Sequence, residues 1–417
     1  MLARFAIACL FALFAATAMG QQLSGGGGTI NAGSLGNWVT AKDYGAIFDG
    51  SSHPLSTRYA TLAAAQVVYP FVTSLTQEID GAAVQAALNY CQSLVAPTKT
   101  TSGCAVLVPR GIGFTNFTLK NHLSFVSLIA QDQQMGQIGD NIVGPAAMAM
   151  TTIRWNAAGA IAPSPSQYIY DDEPLTADNV RITGSNTEGI LFDCNDVAGC
   201  SGIKVAGIHY SIIRVGTREG YPVIYTLTGD AHAGDIDLQV ADTSGIHVGD
   251  LVSGVGITQG DYVLQVTDGT HIKLVQTLFA DMLTGVQFGI GGEGFRMDIA
   301  NGFSSDVCDS QVNRLFLNSS SVSGPANMTA PLIYIGATTN VACGVTHTIY
   351  SNSAANLFEG VVCIFNQSDC LVLGHSDDNI FGPQGVGGTY LGVHSGPPRP
   401  WQLVRLKGAN DVGGLNH

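Results

Sequence analysis

The sequence predicts an all-β fold in which short strands coil and stack, and three observations carry that prediction. Short apolar runs such as Gly189-Ile190-Leu191-Phe192-Asp193 and Gly202-Ile203-Lys204-Val205 recur between Gly, Asn and Ser. Of the 31 acidic residues only 6 are Glu, and Lys also numbers 6. The residues that favour helix faces are therefore scarce, while Asp, which favours turns and caps, is plentiful. Charged residues make up 12% of the 417, while hydrophobic residues make up 46%; an ordinary soluble domain carries about twice that charge. Such a balance excludes disorder, which needs low hydrophobicity and high charge. The 52 glycines have no period of three, which excludes a collagen helix. Rungs stacked at about 4.8 Å bury a core that no single rung could build. A β-sandwich and a propeller are the alternatives, and the sequence lacks the regular period of about 40 residues that blades require.

Met1 to Gly20 reads as a secretory signal. Arg4 supplies the positive start, Phe5 to Ala16 the apolar run, and Ala16-Thr17-Ala18 or Ala18-Met19-Gly20 the cleavage site. No later stretch is long and apolar enough for a membrane span. The expected location is extracellular or periplasmic. Removing Cys9 with the signal leaves eight cysteines, and an even number in an exported chain implies disulfides. Pairing of sequence neighbours is the simplest arrangement: Cys91 with Cys104, Cys194 with Cys200, Cys308 with Cys343, Cys363 with Cys370. The formal charge of -14 repels a phosphate backbone, so nucleic acid is not an expected partner.

Residues 21–37 form a Gly, Ser and Asn-rich leader, expected to be flexible. Residues 38–227 hold an N-terminal cap and the first part of the coil. Within the cap, residues 51–78 read as an extended connection, and Asp80 as the cap of a helix with its body at Ala82 to Tyr90. Three strings stand out here: VTAKDYGAIFDG at 39–50, EIDGAAVQAALNYC at 78–91 and GCAVLVPRG at 103–111. Together they resemble the N-terminal cap of pectate-lyase-like right-handed parallel β-helices, which often open with Lys-Asp-Phe-Gly-Ala and close a strand with Leu-Pro-Pro-Gly. Here Tyr44 replaces the Phe, a single Pro109 stands at the strand end, and Asp80-Gly81-Ala82 replaces the usual Asp-Asp-Thr. The resemblance implies a right-handed parallel β-helix with a helix cap. It leaves the activity open among pectate lyases, polygalacturonase-type hydrolases and phage tailspikes.

Short strands continue along the chain, including Ser211 to Val215, Phe295 to Ile299, Val312 to Leu317, Leu332 to Ile335 and Gly360 to Phe365. Residues 228–288 break the style with alternating strands and Asp-Gly turns, and read as an inserted small β module. Insertion requires its two ends to lie close together. Residues 289–417 complete the coil and end in a Gly and Pro-rich cover.

A long ligand can lie along the flank of such a coil, so the expected partner is a polysaccharide or surface glycan. Cleaving a glycosidic bond usually takes two carboxyls, one protonated and one ionised. The catalytic candidates are Asp193 and Asp196, where a rung turns and a Cys194–Cys200 bridge would fix the loop. Asp171 and Asp172 follow Tyr168 and Tyr170, with Trp155 near in sequence, an arrangement suited to sugar stacking. Asp377 and Asp378, with Asp171 and Asp172, are the alternate catalytic candidates, and His375 beside the later pair is a candidate substrate contact. Arg214, Arg218 and Tyr221 precede the module and are candidate substrate contacts, with Arg181 as a further basic neighbour. For every one of these, turn capping or plain solvation is the competing explanation.

Polygalacturonase-type members carry Asn-x-Asp, Asp-Asp, Gly-His-Gly and Arg-x-Lys motifs in that order. This chain has Asn195-Asp196 without the spacer, Asp377-Asp378, no Gly-His-Gly, and Arg405-Leu406-Lys407. Lyase-type members use Ca2+ and an Arg base, so Ca2+ is the candidate cofactor, with no metal ligands assigned. The expectation is an exported carbohydrate-active enzyme that cleaves a polysaccharide by hydrolysis or elimination. The alternative is a non-catalytic tailspike-like, adhesin-like or structural protein that binds glycan, for which a homotrimer is the expected assembly.

Overall fold

The computed structural model describes residues 37–95, 103–131, 151–156, 167–175 and 182–298. Beyond them it describes residues 328, 331, 333–335 and 371, and the backbone of further strands between 312 and 406. Residues 1–36, with the expected signal and most of the leader, lie outside the described residues.

Fifteen of the strands precede or open the insertion. They are β1 (Asn37–Thr40), β2 (Cys104–Val108), β3 (Gly111–Thr115), β4 (Leu119–Asn121), β5 (Val126–Ala130), β6 (Thr151–Trp155), β7 (Gln167–Asp172) and β8 (Ile182–Thr183). Next come β9 (Thr187–Asp193), β10 (Cys200–Ala206), β11 (Ile208–His209), β12 (Ser211–Gly220), β13 (Val223–Thr226), β14 (Asp237–Gln239) and β15 (Leu251–Gly254). The others are β16 (Asp261–Val266), β17 (His271–Leu274), β18 (Gln287–Ile290), β19 (Phe295–Asp298), β20 (Val312–Val322), β21 (Ile333–Ile335) and β22 (Ser353–Ala354). The last are β23 (Leu357–Asn366), β24 (Leu371–Leu373), β25 (Ser376–Asp377), β26 (Ile380–Phe381), β27 (Val386–Tyr390) and β28 (Val404–Leu406).

One sheet runs β1-β2-β5-β9-β12-β20-β23-β26, with β27 also on β23 and β6 joining β3 to β9. A second runs β4-β7-β10-β19-β21-β24-β28. The pairs along both sheets are parallel. Successive rungs thus give a strand to each sheet in turn, which is the architecture of a right-handed parallel β-helix. The strands β27 and β28 continue the two sheets.

One register column shows why these residues coil. Leu119, Tyr170, Ile203, Phe295, Ile333 and Leu371 stand at matched positions on six stacked strands. All six are fully buried in one continuous core. Each such side chain contributes about 1.5–3 kcal/mol of burial. Backbones also approach closely: a Cβ on Gly202 would lie 2.2 Å from the Gly294 carbonyl oxygen, so a larger residue there would push two rungs apart.

The cap departs from the sequence reading in two places. Residues 51–78 contain a helix, α1 (Leu62–Val68), opened by the Thr61 hydroxyl, which accepts from the Ala64 amide. Its Ala-rich body favours helix intrinsically, and Leu55, Ala65, Tyr69 and Val72 make a small core with Ile79 and Ala82. The next helix, α2 (Ile79–Val95), begins before Asp80. Asp80 lies in its first turn and is buried; its carboxylate accepts the amides of Ile47 (2.6 Å), Phe48 (3.2 Å) and Phe114 (3.2 Å). It therefore pins a neighbouring turn and β3 to the helix rather than capping its own helix. Cys91 on α2 is bonded to Cys104 on β2, which fastens the cap to the first rung.

The inserted module is an antiparallel sheet in the order β13-β18-β15-β16-β17-β14. A bridge between Leu227 and Val240 joins its two edges, so the sheet closes on itself around its own core. Its entry and exit strands are paired, Val223 with Ile290 and Thr226 with Gln287. The abundant Asp residues are turn caps: Asp230 accepts the Thr284 amide, Asp242 that of Ser244, Asp268 that of Thr270, and Asp281 that of Ala233.

Candidate active site

Arg154, Asp193 and Arg218 occupy one register position on β6, β9 and β12. Neighbouring strands lie about 4.8 Å apart, so charges of alternating sign stack one above the next. Asp193 has no exposed surface. Its Oδ2 accepts from Nε and Nη2 of Arg154, both at 2.8 Å, and its Oδ1 accepts the Asn195 amide at 2.9 Å. Burying this carboxylate is tolerable because it is paired and hydrogen-bonded.

The turn after β9 is built around that anion. Asn195 and Asp196 both have left-handed backbones, φ 56° and 55°, a conformation non-glycine residues adopt rarely. A Cys194–Cys200 disulfide closes the turn beneath them, with both cysteines buried. The rung above holds it from the other side: Cys194 donates to the Arg218 carbonyl (2.8 Å) and Gly199 to that of Tyr221 (2.7 Å). Glu219, on that upper rung, is a third left-handed residue, φ 55°. Three strained backbones thus converge on one corner, a pattern associated with functional sites.

Glu219 is half-buried and bonded to Arg218, whose Nε donates to Glu219 Oε1 at 2.7 Å. Burial, followed by the negative field of Asp193, pushes its carboxyl above the usual carboxylate range; Arg218 works against that rise. Burial opposes the Arg218 charge, but Asp193, Glu219 and Asp196 together hold the guanidinium above its usual range. Asp196 is exposed on the turn, and Tyr221 is partly exposed beside it in the chain path. The corner therefore places a half-buried carboxyl of raised pKa beside the exposed Asp196 and the buried Asp193. That is the separation of environments from which acid–base pairs are made.

Of the sequence candidates, Asp193, Asp196, Arg218 and Tyr221 meet at this corner. Arg214 is exposed on β12, opposite Glu188 in register. Asp171 faces outward on the other sheet, in register with Lys204, whose Nζ binds Glu173 at 2.5 Å. Asp172 points inside the coil. Trp155, Tyr168 and Tyr170 are buried; Tyr170 stacks on Phe192 with ring centroids 5.8 Å apart, and the Tyr168 hydroxyl binds Glu293. Asp377 is described by its backbone in β25 alone, and Arg181, His375 and Asp378 lie outside the described residues. Arg154 and Glu219 were not among the sequence candidates. The signal for Glu219 was its place beside Arg218, immediately before the insertion.

The two described disulfides, Cys91–Cys104 and Cys194–Cys200, are pairs of sequence neighbours. Cys308, Cys343 and Cys370 lie outside the described residues, and Cys363 is described by its backbone alone. Calcium takes six to eight oxygens, and among the described residues no group of three or more His, Cys, Asp or Glu is arranged to hold a metal ion. Among the described residues, no helix is long and apolar enough to cross a membrane.

No family model matches this chain, and no curated protein matches it. Among solved structures, the tailspike protein gp49 from Pseudomonas phage LKA1 is similar at 17% identity, covering 84% of this chain and 46% of that one, with a TM-score of 0.24. The Pseudomonas phage phi297 tailspike gp61 is similar at 18% identity, covering 85% and 63%, with a TM-score of 0.27. The A-module of the Azotobacter vinelandii mannuronan C-5 epimerase AlgE4 is similar at 11% identity, covering 83% and 76%, with a TM-score of 0.23. The chain spans less than two thirds of the length of both tailspikes. The fold assignment rests on the strand pairings of the chain itself.

Proposed function

We propose that this chain is an exported carbohydrate-active enzyme that cleaves a polysaccharide lying along the coil flank, at the corner formed by Asp193, Asp196 and Glu219. The observation that carries this reading is Glu219: a half-buried carboxyl whose pKa is raised by burial and by two other acidic residues, Asp193 and Asp196. Glu219 is the proton donor to the leaving sugar oxygen. Asp196, exposed on its turn, is the partner that activates water or attacks the sugar. Asp193, clamped by Arg154, acts through its charge on Glu219 and is not itself in contact with substrate. Arg218 holds Glu219 in place, and Tyr221 is the aromatic contact for a sugar ring.

Incubation with a panel of polysaccharides tests this, scoring new reducing ends and the absorbance of an unsaturated product. Reducing ends alone identify hydrolysis by the carboxyl pair. Both signals together identify elimination, which needs a base to remove a proton from the sugar ring and overturns the assigned roles. A second reading, glycan binding without cleavage, is favoured by the closure of Asp193 within its ion pair, which keeps that carboxylate away from a ligand. Glycan binding with no new ends across the panel selects that reading.

A further inference from the structure

Asp172 ends β7 with its side chain inside the coil, fully buried, and among the described residues no cationic side chain bonds to it. Its partners are neutral. Asn121 Nδ2 lies 2.9 Å from Oδ1, and the Ser185 hydroxyl lies 3.1 Å from Oδ2. The orientation of the Asn121 amide is fixed by its oxygen, which accepts the Leu123 amide at 3.3 Å. Its Nδ2 faces Asp172 Oδ1 most closely, then Ser185 Oγ at 3.1 Å, the Leu123 carbonyl at 3.2 Å and the Val126 carbonyl at 3.5 Å. The single Ser185 hydrogen has two acceptors within reach, the Val126 carbonyl and Asp172 Oδ2. A protonated Asp172 donates to Ser185 Oγ and leaves that hydrogen on Val126; an ionised Asp172 draws it away from the Val126 carbonyl. With a proton on Asp172 every partner is satisfied; without it a charge sits in a dry interior on neutral donors alone, with no counter-charge bonded to it among the described residues.

We propose that Asp172 is a proton-operated latch inside the coil: protonated, it closes the corner between β4, β7 and the Ser185 turn, and on ionising it loosens that corner. Burial is the main cause that raises its pKa to about 7, with the Asp171 charge adding to the rise and the bonds from Ser185 and Asn121 opposing it. The titratable groups on the packed elements are Tyr170, Asp171 and Glu173 on or next to β7, Lys120 on β4 and His122 just after it, Lys204 on β10, and His209 on β11, which pairs with β8. Of these, Asp171 is the one whose charge bears on Asp172, while Lys204 is engaged with Glu173. The folded value lies above the unfolded one, so the stabilisation is complete below about pH 4 and is lost as pH rises through about 7. This corner therefore holds tightest in acid and relaxes toward neutral and alkaline conditions.

The test is the pH dependence of unfolding in urea, wild type against D172N. Over this window the latch makes the wild-type unfolding constant rise by up to about tenfold per pH unit relative to the variant, whose amide cannot ionise. Parallel curves for the two proteins overturn the proposal. Infrared titration of the wild type decides the matter if D172N does not fold. A buried carboxylic acid C=O band that persists well above pH 5 and disappears near pH 7 supports the latch, and its absence at pH 5 to 6 overturns it. Neither readout depends on carbohydrate cleavage.

Discussion

The two nitrogens of the Arg154 fork meet one oxygen of Asp193 across adjacent rungs, each at 2.8 Å, while the other oxygen takes the Asn195 amide. The pair does two jobs at once. It neutralises a carboxylate with no exposed surface, and it fixes the start of the turn that carries Asp196.

Arg154→Met leaves that carboxylate buried without its partner. The expected loss is about 3 kcal/mol of stability, because breaking a buried pair costs more than the pair contributes. Arg154→Lys recovers only part of it, since an ammonium cannot present two donors from a rigid fork. Urea unfolding at neutral pH measures both, and a loss below about 0.5 kcal/mol for Arg154→Met would remove the pair from any structural role.

Glu219→Gln keeps the shape of the site and removes its proton donor. Cleavage is expected to fall about 100-fold or more, the usual worth of general acid catalysis. In the wild type, activity is present while Glu219 is protonated and is lost as pH rises through its elevated pKa. Asp193 contributes to that elevation, so Asp193→Asn moves the alkaline limb to lower pH. Rate profiles of the three proteins on a substrate found in the panel check this; an alkaline limb that stays put in Asp193→Asn removes the assigned coupling.

The coil was legible because its rule is repetitive: one apolar residue per rung at matched positions, followed by a small turn residue. Leu119, Ile203, Phe295 and Ile333 obey it openly. The candidate site was only partly legible, for a geometric reason. Asp171 and Asp172 read as one acidic cluster, yet successive residues of a strand face opposite ways. Asp171 therefore faces outward, while Asp172 faces the core. Arg154 and Glu219 were hidden by the opposite effect, since they reach Asp193 from rungs 39 and 26 residues away. The helix at Leu62–Val68 escaped notice because its Ala-rich stretch carries a weak apolar pattern, and its stability comes from packing against Leu55 and Tyr69.

Replacing Cys194 and Cys200 by Ala removes the bridge under Asn195 and Asp196. The closed loop is short, so chain entropy puts the cost at about 2 kcal/mol. The larger effect is expected at the site, where two left-handed residues lose their support. Cleavage should fall further than stability does, which paired assays of activity and unfolding resolve. Equal activity at a temperature where both proteins are folded would mean that the turn holds its shape without the bridge.

The seam between coil and module rests on Arg296, and it makes the last prediction. Arg296 lies on β19 and is almost fully buried, with Nη2 donating to the Gly249 carbonyl of the module (2.6 Å) and to Asp298 (2.7 Å). Its Nη1 donates to the Tyr168 hydroxyl at 3.2 Å and stands 3.6 Å from Glu293. Beside it, Leu251 and Tyr262 of the module pack on Tyr334 of the coil. Arg296→Met keeps the length of the side chain but leaves Glu293 and Asp298 buried with no counter-charge from this position. A loss of about 3–5 kcal/mol is expected. Because the module closes around its own core, the damage should begin at the seam and leave that core intact. Hydrogen exchange by mass spectrometry distinguishes the cases: faster exchange in β19 and in the turn at Gly249, with β16 and β17 still protected, is the expected pattern. Uniform loss of protection across coil and module would mean instead that the two fold and unfold as one unit.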